Sequence, residues 1–200
     1  MAWDRRTHHR RVVISNAAIV LSEAGYHWEE AAAAYQEWDA ADWSVTFYTP
    51  TGRRPRPDPT SLYVTPLPLR AVGYGTTRDD GPRAYRNREL ATQIESPRPL
   101  SDFDVDGTDA IYVVGGHGSL QDVNRNEDLH RIVEALYVNG RVLSSVCHAT
   151  STFAFARRSD GKSIVRGKRL TGCPKVADEM MIRLGMVHRG YLPLPLINDD

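Results

Sequence analysis

The dipeptide Cys147-His148 follows directly on the apolar run Arg141–Val146 and is followed directly by Ala149–Ala156. That order reads as strand, sharp turn and helix, which sets a thiol where a helix begins. A sulfur in that place faces backbone N–H groups with no intrahelical partner and the positive end of the helix dipole, both of which favour thiolate. The pattern predicts a nucleophilic cysteine, with a buried structural cysteine behind a core strand as the alternative. A second chemistry-bearing turn, Gly115-Gly116-His117-Gly118, ends the apolar run Asp109–Val114. So few side chains let the backbone approach a ligand closely. No Lys-Ser/Thr follows and no G-x-G-x-x-G is present, so a phosphate loop is not supported. The better role is an oxyanion hole made by the N–H groups of Gly116 and His148. Gly115 and His117 stand at the mouth of the same presumed pocket as substrate contacts, although His117 could equally cap a backbone carbonyl.

The elements that must position these residues are legible as an alternation. Val12–Asn16 reads as a first core strand, Glu29–Trp38 as a helix with Trp28, Ala31, Tyr35 and Trp38 at helical spacing, and Trp43–Tyr48 as a second strand closed by Pro50 and Gly52. Asp109–Val114 and Arg141–Val146 are further apolar strands, separated by the helical stretch Asn126–Leu136 and its stop Asn139-Gly140. Continuously apolar strands alternating with helices predict a parallel sheet covered on both faces, with ligands at the C-terminal strand ends. Thr51–Pro99 is the exception. Dense in Pro, Gly and Arg, it reads as an insertion without regular structure, either a lid over the site or a solvated surface excursion.

The chain of 200 residues is long enough for one domain with a real core. Lys plus Arg and Asp plus Glu balance at 25 each, so no global field points to nucleic acid or an anionic membrane. Two cysteines, Cys147 and Cys173, without ligand spacing suggest neither a disulfide scaffold nor structural zinc, and fit a reducing cytoplasm. The basic start and the run from Val12 to Leu21 mimic a signal peptide, but Ser15, Asn16 and Glu23 interrupt it. No segment has the length of a membrane span.

Several motifs then occur in a familiar order: Gly25-Tyr26-His27-Trp28-Glu29-Glu30, Pro50-Thr51-Gly52 through Asp58–Ser61, Pro99–Phe103, Gly115–Gly118 with Asp122, Cys147-His148, and Gly167-Lys168 with Thr171-Gly172. Together they resemble the ThiJ/PfpI family of the glutamine-amidotransferase-like superfamily, and most of all its glyoxalase III and heat-shock-chaperone-like branch. The resemblance implies an α/β flavodoxin-like three-layer sandwich, mostly parallel, in a single domain over residues 1–200. It implies a nucleophile elbow at Cys147, Glu30 hydrogen-bonding the sulfur, and His148 oriented by a downstream acid, Asp178 or its neighbour Glu179. It also implies a homodimer and no cofactor. No metal requirement is expected, since His8-His9 lies near the terminus and Glu30, His117 and Cys147 are accounted for without one, although the chaperone-like branch leaves a surface metal site open. Charge balance and segment length point to no nucleic-acid or membrane partner. Ala149 departs from the family, which usually has glycine there, and the family pattern continues past Ile197–Asp200 into a further strand. The implied activity is cofactor-independent conversion of a small 2-oxoaldehyde such as methylglyoxal to a hydroxy acid. Cysteine-dependent hydrolysis or hydration of another small metabolite, and a non-enzymatic chaperone or redox sensor, remain the alternatives.

Overall fold

The computed structural model describes residues 15–58, 61–62 and 88–184. Among the described residues, five strands make one parallel sheet: β1 Asn16–Val20, β2 Ser44–Thr49, β3 Arg98–Pro99, β4 Ala110–Val113 and β5 Val142–Ser145, in the spatial order β3-β2-β1-β4-β5. The helices are α1 Trp28–Ala40, α2 Arg88–Glu95, α3 Ser119–Asp122, α4 Glu127–Val138, α5 Thr150–Phe155 and α6 Lys175–Arg183.

Two separate cores make the three layers. On β1, Ala18 and Val20 point to the face covered by α4 and α5, through Leu129, Ile132, Val133, Leu136 and Phe153. The alternate residues Ile19 and Leu21 point to the other face, where Trp28, Ala31, Ala32 and Tyr35 of α1 pack with Leu90 and Ile94 of α2. This is the period-two alternation of a strand buried on both sides.

The first strand lies further along the chain than the sequence suggests. The strand is Asn16–Val20, whereas Val12–Ile14 lie outside the described residues. Pairing with Ser44–Tyr48 and Ala110–Val113 puts the described strand in the part of the apolar run that follows Ser15. The presumed insertion is also more regular than its composition suggests. Its end folds as α2 and β3, and β3 joins the sheet through Tyr48↔Arg98 and Thr49↔Pro99. Residues 59–60 and 63–87 of that region lie outside the described residues, so its expected lid role does too.

Chain order reverses between β1 and its neighbours β2 and β4, which opens a crevice at the C-terminal ends of β1 and β4. The loops leaving β1, β4 and β5 all emerge there. They carry Ser22–Glu30, Gly115–Gly118 and Cys147-His148 respectively.

Candidate active site

Cys147 has φ +55°, one of two non-glycine residues with positive φ among the described residues. A Cβ-bearing residue in that region costs about 1–2 kcal/mol, so the surrounding contacts must hold it there. They do so through Asn124 at the end of the β4–α3 excursion. Its Nδ2 donates to the His148 carbonyl at 3.0 Å and to the Ser151 hydroxyl, its Oδ1 accepts from Thr152 Oγ1 at 3.0 Å, and Ser151 Oγ donates to the same carbonyl at 2.9 Å. After the elbow, residues Cys147–Ala149 form a 3-10 turn and α5 follows.

His148 touches the sulfur despite being its sequence neighbour. Its Nδ1 lies 3.3 Å from Cys147 Sγ, and its Nε2 lies 3.0 Å from each oxygen of Asp178 in α6. Both His148 and Asp178 are buried. Burial works against a proton on His148, but the Asp178 carboxylate and the neighbouring Cys147 outweigh it and raise its pKa to about 10.

Glu30 enters from the opposite side, in the first turn of α1. Gly115 N–H donates to its Oε2 at 2.9 Å, and its carboxyl interacts with the Cys147 side chain. Burial first, and the adjacent Cys147 second, hold its pKa well above the usual carboxylate range. Gly115 is what permits this approach. A Cβ there would fall 2.6 Å from Cys147 Cβ and 2.7 Å from Glu30 Oε2, both closer than atoms can pack. Gly116 has φ +106°, and a Cβ on it would meet Gly25 O and His27 N at 2.7 Å.

The expected lowering of the thiol pKa is not what this setting produces. The neighbouring Cys173 thiol first, and burial second, push the Cys147 thiol up to about 12, while His148 pulls in the other direction. The six-residue α5, preceded by a 3-10 turn, offers little aligned backbone to offset this. The sulfur thus sits in contact with both Glu30 and His148, in surroundings where burial favours its protonated form.

Two participants went unrecognised in the sequence. Asp58 accepts from His117 Nδ1 at 2.7 Å, and His117 Nε2 lies 3.8 Å from Asp178 Oδ1, its ring centroid 4.8 Å from that of His148. Asp58 and Asp178 thus bracket His117, and Asp178 is shared with His148. All four are buried. Asp58 is fixed because its segment laces onto the start of α1: Asp58 N donates to Tyr26 O at 2.7 Å and Ser61 Oγ to Asp58 O at 2.7 Å, while Ser61 Oγ accepts from Trp28 N at 3.0 Å. Cys173 is the other. Its Sγ lies 3.8 Å from Asp178 Oδ1. A Pro-flanked aspartate in an arginine-rich stretch carries no signal of this, and Cys173 could have been suspected only from lying five residues before Asp178.

The expected substrate contacts have other partners in this geometry. Gly115 gives its N–H to Glu30 and its carbonyl to His27 N at 2.9 Å, and His117 is turned toward the two aspartates. Among the described residues neither the Gly116 N–H nor the His148 N–H donates to a protein acceptor. Among the described residues, two groups of side chains present converging metal-ligand atoms: Cys147, His148 and Cys173, and His117, His148 and Asp178.

A model of the DJ-1/PfpI family matches residues 86–190, the part of the chain that carries α2, β4, the elbow and α6. The chain belongs to the DJ-1/PfpI family. Among curated proteins it is 27% identical over 107 residues to glyoxalase 3 of Candida albicans, covering 53% of this chain and 45% of that one. It is 29% identical over 96 residues to the glutathione-independent glyoxalase HSP31 of Saccharomyces cerevisiae, covering 48% and 39%. The chain therefore spans less than half the length of these relatives. Among solved structures, glyoxalase III of C. albicans aligns with a TM-score of 0.68 at 20% identity, over 90% of this chain and 76% of that one. The rapid encystment protein of Francisella tularensis aligns at 0.71 with 18% identity, over 88% and 77%. At these identities the structural likeness shows the shared fold. The α/β three-layer architecture of this DJ-1/PfpI member agrees with the sequence reading. Among the described residues no helix is long and apolar enough to cross a membrane.

Proposed function

We propose that this DJ-1/PfpI protein converts a small 2-oxoaldehyde, methylglyoxal or a near relative, to the corresponding 2-hydroxy acid without a cofactor. The observation that carries this reading is the placement of Cys147 between two proton carriers: Glu30, with its carboxyl pKa well raised, and His148, pinned by Asp178. Nucleophilic attack needs one proton carrier, whereas an internal shift of hydrogen between two carbons needs a second group that both accepts and returns a proton.

Cys147 sulfur adds to the aldehyde carbon, and one proton of the Cys147–Glu30 pair passes to the new hydroxyl oxygen, giving a hemithioacetal and leaving Glu30 as carboxylate. The N–H groups of Gly116 and His148 bind that oxygen as charge develops on it. Glu30 then takes the proton from the sulfur-bearing carbon while His148 gives one to the adjacent carbonyl oxygen, forming an enediol. Glu30 returns its proton to that adjacent carbon, and the hydroxyl of the sulfur-bearing carbon gives its proton back to His148 as it becomes the carbonyl of a thioester. Water activated by the Glu30 carboxylate, which keeps its proton, cleaves the thioester, and the departing sulfur takes a proton from His148, giving the 2-hydroxy acid and the free thiol. The sum is one aldehyde plus one water to one acid, with no oxidant or reductant. The names of the relatives, glyoxalase 3 and glutathione-independent glyoxalase, support the same substrate class. A homodimer in a reducing cytoplasm belongs to this proposal.

Incubation with methylglyoxal in the absence of glutathione, followed by proton NMR, is expected to show lactate from the wild type and none above background from Cys147→Ala. Equal lactate from both proteins would reject the proposal.

A further inference from the structure

We propose that Cys147, His148 and Cys173 form a binding site for a soft, thiophilic divalent cation of the Zn2+ type, seated directly over the nucleophile. One ligand atom from each residue lies within 4.8 Å of the others. The one ligand-to-ligand distance that is fixed most closely, Cys147 Sγ to His148 Nδ1, is 3.3 Å. A tetrahedral zinc with ordinary Zn–S and Zn–N bonds would set that edge at about 3.5 Å, so little movement is needed.

The surroundings of the histidine favour the same use. Both Asp178 oxygens lie 3.0 Å from Nε2, which fixes a proton on that nitrogen and turns Nδ1 toward the sulfurs. A carboxylate behind a ligating histidine is the usual outer-shell arrangement of a zinc site. Cys173 and Asp178 come from one short segment, the approach to α6 and its first turns, so a single element supplies both a ligand and the orienting acid.

The neighbouring group His117, His148 and Asp178 is the weaker candidate. His117 Nδ1 is already given to Asp58, His148 Nε2 to Asp178, and all three residues are buried. Both cysteines keep some exposure, which leaves an entry path. On binding, every proton held by the two sulfurs and by Nδ1 leaves to solvent, and two thiolates balance the charge of the cation. The fourth position remains open to water. The cation and an aldehyde substrate would then compete for the same sulfur, and cation binding itself does not depend on which reaction Cys147 performs.

Cadmium is the probe, because its thiolate complexes absorb in the ultraviolet and those of His8 and His9 do not. Titration of the reduced full chain with Cd2+ at neutral pH is expected to give a sulfur-to-cadmium charge-transfer band that saturates at one equivalent and is progressively diminished by an excess of competing Zn2+. In Cys173→Ala and in Cys147→Ala the band should fall to about half, with affinity weakened at least ~10-fold, the low end of what losing even an outer-shell partner costs. A wild type without a saturable band overturns the site. So does a Cys173→Ala protein with the full band at unchanged affinity.

Discussion

Adjacent residues in a sequence rarely share a site through their side chains, yet Cys147 and His148 do, because positive φ at the cysteine swings its sulfur back toward the following ring. Asp178 then decides how that ring sits. Asp178→Asn is expected to lower turnover at least ~100-fold, since loss of oriented acid–base catalysis carries that cost. Glu179→Gln should leave turnover near that of the wild type, and steady-state kinetics on the two variants would separate the neighbouring acids. Asp58 acts at one remove. It holds His117, which faces Asp178, so Asp58→Asn should change the pH profile of turnover more than substrate affinity. A change confined to KM would contradict a positioning role. At this scale the sequence made Cys147, His148 and the pair Asp178 or Glu179 visible through motif order. Asp58 and Cys173 were not visible, because their roles depend on two loops meeting in space and not on spacing within either one.

The elements impose a different constraint, which is closeness of backbone. The β4–Gly115 turn passes so near the elbow that a methyl group has nowhere to go: Val146 O lies 2.9 Å from where it would stand, besides Cys147 Cβ and Glu30 Oε2. Gly115→Ala is therefore expected to destabilise by about 1–3 kcal/mol, as overpacking does, and to abolish turnover by displacing the cysteine or the glutamate. Urea unfolding with unchanged stability would show that the turn can yield. Cys147 makes the converse case. Its φ of +55° suits glycine, so Cys147→Gly should be about 1 kcal/mol more stable than Cys147→Ala, though both are inactive. A Cys147→Ala protein as stable as the glycine variant would mean that the elbow carries no strain. The strand–helix alternation around these turns was legible because β1, β4 and the amphipathic helices repeat at their proper periods. What escaped was α2 and β3. Their prolines and arginines look like loop chemistry, and β3 is a strand only because β2 lies beside it, with two residues paired.

At the scale of the whole molecule, a site built from buried proton-binding groups ties folding to pH. His148, Cys147 and Glu30 all hold protons more tightly in the folded chain than out of it. The stabilisation from Glu30 is complete below its ordinary pKa of 4.5 and is lost as pH rises through its raised folded value. That from His148 is complete below 6.5 and is lost as pH rises through about 10. That from Cys147 is lost only between 9.0 and about 12. On the acid side the balance reverses, since burial lowers the pKa of His27 and of His130, and both must charge on unfolding below 6.5. Between these limits both Glu30 and His148 lose protons, and the pair of His148 with Asp178 is too deeply buried for salt to screen. The unfolding free energy should accordingly fall between pH 6.5 and about 10 by an amount on the order of a few kcal/mol, lowering the thermal midpoint by about 10 °C. Asp178→Asn removes the carboxylate that raises His148, so its stability should be lower at neutral pH and fall less steeply across the same window. Urea unfolding of both proteins at several pH values checks this directly, and parallel curves would place the pH dependence outside the site. A shallower asparagine curve would instead show that Asp178 stores, as folding free energy on the acid side of the window, the orientation that the proposed chemistry at Cys147 requires.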